Sequence, residues 1–580
     1  MPSLSVSRAV LLAAAILLAL VSGLLSLKGA LIGYSPLPFW DQWDFVGNGE
    51  IWSRLFAQHN EHRIPLPRLF FMLDNTLFGG RNAFLLIVVF GTQLALWGGL
   101  VWVAMRAGLP LWDLVLAGGL VGALIVSPYQ MENFYWGFQV QFVLVYFFGV
   151  MCIWQAVAAP HTLLGHGVVI ALGLASAASL SAGLVALPSA ALVAYFAGQS
   201  RLRVGLTAAA GLAVIALYFY GYHSPAGHSN PSDGLRHPIE VVYYALVYLG
   251  GPIGFALSRS VATELVPLLA DPVQAAKLVG AFGAVCSIAL LTLTYRRRPQ
   301  PIVYVFAGVV VFIGLTAIMT ALGRWEFGAP QALASRYATP VLLFWAALFL
   351  LGLTCRTDKA SARLSAYQSG LTIGTAMAIT GLLATEAGHG LDLARAQHDR
   401  MRNAETAVMT GVPDYERLMA VYPVPEHILA QGDHMRRLRL GVFRRPQMDW
   451  LGQSIDALGP IMADDLCLGS FDSQERLPGQ RDGAGSGPVE FAIRASGWAW
   501  IDRAPARWLI LTDSQRKVVG LGRTVVSRPD VMAAVPGVDA LTTGWVAHGW
   551  VASGQQMQAY AVGVHGGLCA LPPTEHFVTP

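Results

Sequence analysis

The side chains best suited to chemistry are confined to a few short segments. Residues 39–45 read Phe39-Trp40-Asp41-Gln42-Trp43-Asp44-Phe45, and residues 58–68 read Gln58-His59-Asn60-Glu61-His62-Arg63-Ile64-Pro65-Leu66-Pro67-Arg68. A positioned carboxylate can take a proton from a hydroxyl as a general base, which makes Asp41 and Asp44 candidates. His59, Glu61 and His62 are candidates for holding a polar ligand. The three-residue spacing of the two histidines predicts that they share one side of a helix. If Asp41, Asp44 and Glu61 hold a divalent cation, their oxygen ligands favour magnesium or manganese over zinc. Trp40 and Trp43 suit a membrane interface, where aromatic rings anchor the chain.

A second segment reads Ser127-Pro128-Tyr129-Gln130-Met131-Glu132-Asn133-Phe134-Tyr135-Trp136-Gly137-Phe138-Gln139-Val140-Gln141. Aromatic rings can stack on the C–H face of a sugar while amides bond its hydroxyls, so Gln130, Glu132, Asn133, Trp136 and Gln139 are candidate sugar contacts. The competing reading is glue between helices, since a buried amide needs a partner. His223, a further candidate sugar or acceptor contact along with His59, Glu61 and His62, falls with His228 in a third segment, and Arg324-Trp325-Glu326 with Ser335-Arg336-Tyr337 in a fourth. An arginine at the mouth of a membrane span can grip a phosphate with two parallel hydrogen bonds. Arg63, Arg324, Arg336 and Tyr337 are the candidates for an anionic group.

The elements that must position these residues are membrane helices. Of 580 residues, 55% are hydrophobic and 12% charged, whereas soluble domains are roughly one-quarter charged. The net charge of +4 gives no reason to expect a nucleic-acid partner. Apolar runs of membrane-spanning length fall near 8–28, 82–105, 111–127, 137–158, 163–180, 184–199, 203–221, 273–295, 301–322, 337–355 and 367–387, about eleven helices. The first is read as a retained span rather than a cleaved signal, because no small-residue site closes it before Lys28. Three basic clusters mark the cytoplasmic side: Arg201 with Arg203, Arg296-Arg297-Arg298, and Arg356 with Lys359 and Arg363. All three share that side only if 238–258, interrupted by Gly250-Gly251-Pro252, does not cross fully. This places the N-terminus inside and the C-terminus outside, with every chemistry-bearing segment on the outer face. Arg54, Arg63, Arg68 and Arg81 in the first outer loop, 29–81, oppose the positive-inside trend. They call for carboxylate partners such as Glu50 and Glu61, or for an anionic ligand.

Residues 1–388 therefore form a transmembrane domain. Residues 389–465 follow as a helical linker, and 466–580 as a strand-rich module that its turn spacing predicts to be a small antiparallel β-sandwich. Val489–Arg494 alternates apolar and polar residues, and Trp508–Thr512 is continuously apolar. Cys467 and Cys569 bracket this module and are expected to pair, since an extracytoplasmic domain permits a disulfide. Trp498, Trp500, Trp545 and Trp550 read as core.

An inside N-terminus, an acidic motif in a long first outer loop, about eleven spans and an outer C-terminal module together resemble the GT-C glycosyltransferases. The resemblance is one of layout over 1–390. It implies a bacterial inner-membrane enzyme with a periplasmic C-terminal region, taking a polyprenyl-phosphate-linked sugar as donor and a glycan or glycolipid hydroxyl as acceptor. Asp41-Gln42-Trp43-Asp44 stands where those enzymes keep their catalytic acid, although here the two aspartates are not adjacent. Asp41 is the nearer to the first span. Arg324 and Ser335-Arg336-Tyr337 stand where the donor phosphate is expected, and the C-terminal module resembles carbohydrate-binding-like domains. A lipid-linked glycan polymerase or ligase, a flippase, and a non-catalytic glycan-assembly protein are the alternatives. The spans lack the mid-membrane charges and internal symmetry common in transporters.

Overall fold

The computed structural model describes residues 6–46, 51–158, 162–225, 231–260, 266–355, 362–462, 467–483 and 487–574. Glu50, His228, Arg356 and Lys359 lie outside the described residues. The chain forms two compact units. The first comprises 1–34, 51–70 and 85–395; the second comprises 35–50, 71–84 and 396–580. The first outer loop is thus divided between them, a division the linear reading at 388 does not contain.

The first unit is helical. Its elements are α1 (Val6–Gly33), α2 (Pro65–Leu77), α3 (Ala83–Arg106), α4 (Leu111–Ile125), α5 (Val140–Ala158), α6 (Leu163–Ala177), α7 (Ala186–Phe196), α8 (Arg201–Phe219), α9 (Pro238–Ser260), α10 (Pro272–Arg297), α11 (Tyr304–Arg324), α12 (Ala338–Thr354) and α13 (Ala362–Thr385). The start of α14 (Ala387–Thr410) completes it. Among the described residues ten helices are long and apolar enough to cross a membrane, and Leu163–Ala177 and Ser181–Phe196 are shorter apolar helices. Helices suit this setting because their backbone hydrogen bonds are satisfied internally.

Contacts sort the helix ends into two groups. At one end, Ser335 Oγ donates to Tyr129 O at 2.8 Å, His62 meets Ser181 at 2.9 Å, and Arg63 donates to Tyr218 O at 2.9 Å. Gly33 also packs against Tyr135 there. At the other end, Gln199 donates to Val157 O at 2.8 Å and Arg297 to Cys355 O at 2.6 Å. The basic residues Arg201, Arg203 and Arg296–Arg298 belong to this second end, and the polar segments 58–68, 127–141 and 324–337 to the first.

Helix α9 is unbroken from Pro238 to Ser260 despite Pro252, so Gly250-Gly251-Pro252 is not the interruption expected. Gly250 and Gly254 instead lie directly on α10: a Cβ at either would clash with the Ala276 backbone, and one at Gly280 with Leu246 O. Small residues let the two backbones touch. Although α9 has the length to cross, both of its ends contact the polar end of the bundle. His237, just before it, stacks on Trp325 at 4.3 Å; Tyr244 donates to Gln331 at 3.1 Å; Phe255 meets Tyr129 at 5.7 Å; Arg259 pairs with Glu386 at 3.1 Å. The helix lies across that end. Setting it aside from the ten and adding the two shorter ones leaves eleven apolar helices among the described residues.

The second unit is built around one antiparallel sheet. Its strands are β1 (Cys467–Gly483), β2 (Gly487–Ile501), β3 (Trp508–Thr512), β4 (Val518–Ser527), β5 (Thr542–Ala552), β6 (Gln558–Val562) and β7 (Leu568–Leu571), with the two-residue strand Ala504–Pro505 beside β2. The order is β7-β6-β3-β4-β5-β2-β1. The expected sandwich of two facing sheets is therefore not what forms. One eight-stranded sheet curls until its edges approach: Phe471 N–H donates to Pro572 O at 2.9 Å, and a Cys467–Cys569 disulfide joins β1 to β7 with Cα atoms 5.6 Å apart. Alternate residues, among them Ile493, Ala495, Leu509, Leu511, Trp545 and Ala547, fill the concave core. Ile455 covers Ile510 and Tyr560 on the convex side, and Val412 covers Ala492 and Trp550. Burial on both faces is why Trp508–Thr512 reads as a continuous apolar run. Curling also protects edge strands from pairing with other chains.

The placement of α9 carries a test. With the native cysteines of the bundle replaced, single cysteines at Ile239, Ser260 and Tyr220 should all react with a membrane-impermeant maleimide from the same side. Reaction of Ile239→Cys and Ser260→Cys from opposite sides would mean that α9 crosses.

Candidate functional site

Four separate segments of the first unit meet at the polar end of the bundle. Gln58–His59 and His62–Arg63 pair as a two-residue hairpin in which His59 opposes His62. The turn between them needs Asn60 in the left-handed region, φ +48°. The histidines are therefore not on one side of a helix: the tight turn overrides the spacing and sends their rings to different neighbours. His59 packs edge-on against Phe138 at 5.8 Å, while His62 Nδ1 meets Ser181 Oγ at 2.9 Å.

The hairpin is held from below by Arg63. Its guanidinium donates to three carbonyls, Tyr218 O, Phe56 O and Tyr220 O, at 2.8–2.9 Å, and its N–H to the Tyr218 hydroxyl at 2.9 Å. This makes Arg63 a strut rather than the phosphate contact expected of it. His223 serves the same frame through its backbone, which exchanges hydrogen bonds with the Gln58 side chain at 2.5 and 3.2 Å.

With its base fixed, the turn presents Glu61 and His62 to a cavity of about 90 Å³ lined also by Arg324, Arg336, Tyr337 and Ser181. Glu61 forms an ion pair with Arg324, both about one-fifth exposed, and lies 3.6 Å from His62 Nε2. Glu61 thus pairs across to the fourth segment. Arg336 pairs with Glu132 at 3.3 Å and lies over the Tyr337 ring. Tyr146 and Tyr248 come from α5 and α9 to complete the wall, the Tyr248 and Tyr337 rings being 5.3 Å apart. These two tyrosines were not singled out in the sequence. Hydroxyls within apolar runs were the signal available.

The 127–141 segment divides between site and scaffold. Glu132 reaches the site through Arg336. Gln130 and Asn133 are fully buried and act as glue: Gln130 accepts from Gln93 at 3.0 Å and from Thr339 at 2.5 Å, and Asn133 donates to Thr339 at 2.9 Å and Arg336 O at 3.2 Å. Trp136 stacks on Phe138 at 5.4 Å. Gln139 is completely buried with neither amide atom hydrogen-bonded, a condition that costs about 1–3 kcal/mol.

Asp41 and Asp44 belong to the second unit. They sit on a 3-10 turn, Trp40–Phe45. Asp44 pairs with His427 at 3.0 Å, whose ring lies 5.3 Å from Tyr422. Burial and then the charges of Asp44 and Asp41 push the Tyr422 phenol up, so both carboxylates face one aromatic corner. The turn is anchored by buried polar groups. Gln42 bonds Asn82; Asn82 donates to Ser35 O at 2.9 Å; Asp74 accepts from Asn82 N–H at 3.0 Å; Asn75 donates to Phe45 O at 3.1 Å. Burial pushes the Asp74 carboxyl up to about 6, against the lowering pull of that backbone N–H.

Asp41 and Asp44 therefore do not share a compact unit with Glu61, the third carboxylate proposed as a metal ligand. Among the described residues no group of three or more His, Cys, Asp or Glu converges as a metal site. No protein-family model and no curated protein sequence matches the chain.

Asp74 generates a pH prediction. Its folded pKa lies above the unfolded value of 3.8. Its favourable contribution is therefore complete below about 4 and lost as pH rises through about 6, a swing of about 3 kcal/mol. D74N removes the charge. Its melting temperature should exceed that of the native chain at pH 8, and the difference should close towards pH 4. A difference independent of pH would show that Asp74 is not buried as a neutral acid.

Proposed function

We propose that this chain is a membrane glycosyltransferase. In this reading it moves a sugar from a polyprenyl-phosphate donor to a hydroxyl of a glycan or glycolipid at the outer face of the bacterial inner membrane. The observation that carries the reading is the convergence of Arg324, Arg336, Glu61, His62 and a tyrosine wall on one cavity at the polar end of a membrane-length bundle. The basic clusters at the opposite end favour the cytoplasm for that end, and in this reading the cavity faces outward and the C-terminus is outside.

The chemistry is a displacement at the anomeric carbon. The acceptor oxygen forms a bond to that carbon while the carbon–oxygen bond to phosphate breaks. The acceptor proton passes to a carboxylate, and the polyprenyl phosphate leaves carrying the negative charge. Arg324 and Arg336 stabilise that charge, which is greater in the transition state than in the donor. Tyr337 and its neighbours bind the sugar face, and His62, set by Ser181, bonds a hydroxyl. The layout resemblance alone names Asp41 or Asp44, which belong to the second unit, as the base.

The test is sugar transfer from membrane-embedded polyprenyl-phosphate donors in vesicles. R324A and R336A should each lower kcat by about 10²-fold, as removal of a charge-stabilising donor does. D41N or D44N should abolish transfer while leaving donor binding intact. Full activity in D41N, D44N and E61Q alike would rule out carboxylate base catalysis, and unchanged turnover in both arginine variants would remove the donor-phosphate site.

A further inference from the structure

The second unit contains a separate cleft on its curled sheet, with a volume of about 330 Å³. Arg494 of β2 stands at one side. It pairs with Glu475 at 2.6 Å, Glu416 at 3.0 Å and Asp414 at 3.2 Å. Arg528 stands at the other side, paired with Asp472 at 2.7 Å and Asp530 at 2.8 Å. Between them the hydroxyls of Ser473 and Ser496 face each other across β1 and β2 at 2.7 Å. Beneath them lies Trp545 of the sheet's core. Its ring is fully buried, it lines the cleft, and its indole N–H has no hydrogen-bond acceptor. Gly497 makes room for that ring, since a Cβ there would come within 2.7 Å of it.

We propose that this cleft binds a neutral saccharide. The lining is predominantly polar, which disfavours a lipid or an apolar ligand. An anionic ligand fits poorly, because the three arginines of the lining, Arg417, Arg494 and Arg528, are matched by five carboxylates, Asp414, Glu416, Glu475, Asp472 and Asp530. What is left is a rigid set of donors and acceptors side by side, fixed by ion pairs, with paired hydroxyls above the buried Trp545. A polyol presents donors and acceptors at comparable spacing. The ion pairs hold the guanidinium and carboxylate planes in place, so that little ordering entropy is lost on binding. The site lies wholly within the second unit and stands whether or not the first unit transfers sugars.

The experiment uses the full chain labelled with 5-fluorotryptophan, in a detergent without a sugar headgroup, with the Trp545 resonance assigned by W545F. Oligosaccharides of glucose, galactose, mannose, rhamnose, arabinose and N-acetylglucosamine are titrated in turn. Oligogalacturonate serves as the acidic probe and spermidine as the cationic one. At least one neutral oligosaccharide should perturb the Trp545 resonance with a Kd in the millimolar range. S473A/S496A, which loses two hydroxyl hydrogen bonds, should weaken that binding about tenfold at an unchanged melting temperature with the disulfide intact. Perturbation by the acidic or the cationic probe alone, or by none of the neutral sugars up to about 50 mM, would overturn the proposal, as would equal affinity in the double variant.

Discussion

A bilayer offers no water to the groups inside it, and the arrangement of the first unit follows from that. Every backbone polar group in the hydrocarbon must find its partner within a helix, and every charged side chain must be at an end, paired, or both. The bundle obeys by sorting its polar residues. Arg297 ends against a carbonyl at one end, while Glu61, Arg324, Glu132 and Arg336 are gathered and paired at the other. Three of the buried amides, Gln93, Gln130 and Asn133, are linked through one another and Thr339, and this fixes the 127–139 turn on the start of α12. Arg336 is placed next to that junction, so the cavity inherits its rigidity from a buried amide cluster.

Helix α9 shows the same constraint from another side. A 23-residue helix lying across the end of a bundle needs its own lower surface covered, and glycines at 250 and 254 allow α10 to do so by backbone contact. Its tyrosines are thereby directed at the cavity from the side, Tyr248 towards Tyr337 and Tyr244 towards Gln331. A helix crossing the full bundle at this position could contribute only one end to the site.

Much of this was legible in the sequence because it follows from hydropathy. The spans, the grouping of polar loops and the doubt over 238–258 all come from how apolar runs and arginines are distributed. Local geometry was less accessible. His59 and His62 carry helical spacing, yet Asn60 adopts a left-handed conformation and turns the segment into a hairpin. Arg63 has the composition of a phosphate ligand, and only the carbonyls of Phe56, Tyr218 and Tyr220 reveal a strut. Strand patterning in 467–571 shows which faces are buried but not whether the sheet divides in two. The curl depends on Phe471 meeting the chain after β7, a contact about 100 residues distant in sequence that leaves no local periodicity. Asp74 lies in the amphipathic α2 and reads as an ordinary exposed acid until Asn82 closes over it.

The two ion pairs of the cavity bear on how an anion would be held there. Arginines at the mouth of a membrane span do not wait unpaired, since a partly buried charge without a partner is strongly unfavourable. Glu61 and Glu132 supply carboxylates at the positions a phosphate would take. An arriving phosphate monoanion or diester would exchange one oxyanion for another, so its net affinity is the difference between two similar interactions, while its geometry is set in advance by the pairs already formed. In the proposed transfer, a developing charge on a leaving phosphate would gain more from the same arginines than the donor does, because the guanidinium groups are oriented and the aromatic wall keeps the local dielectric low. Modest ground-state binding and strong transition-state stabilisation then come from the same four side chains, and the carboxylate each arginine releases becomes available to hydrogen-bond a sugar hydroxyl beside it.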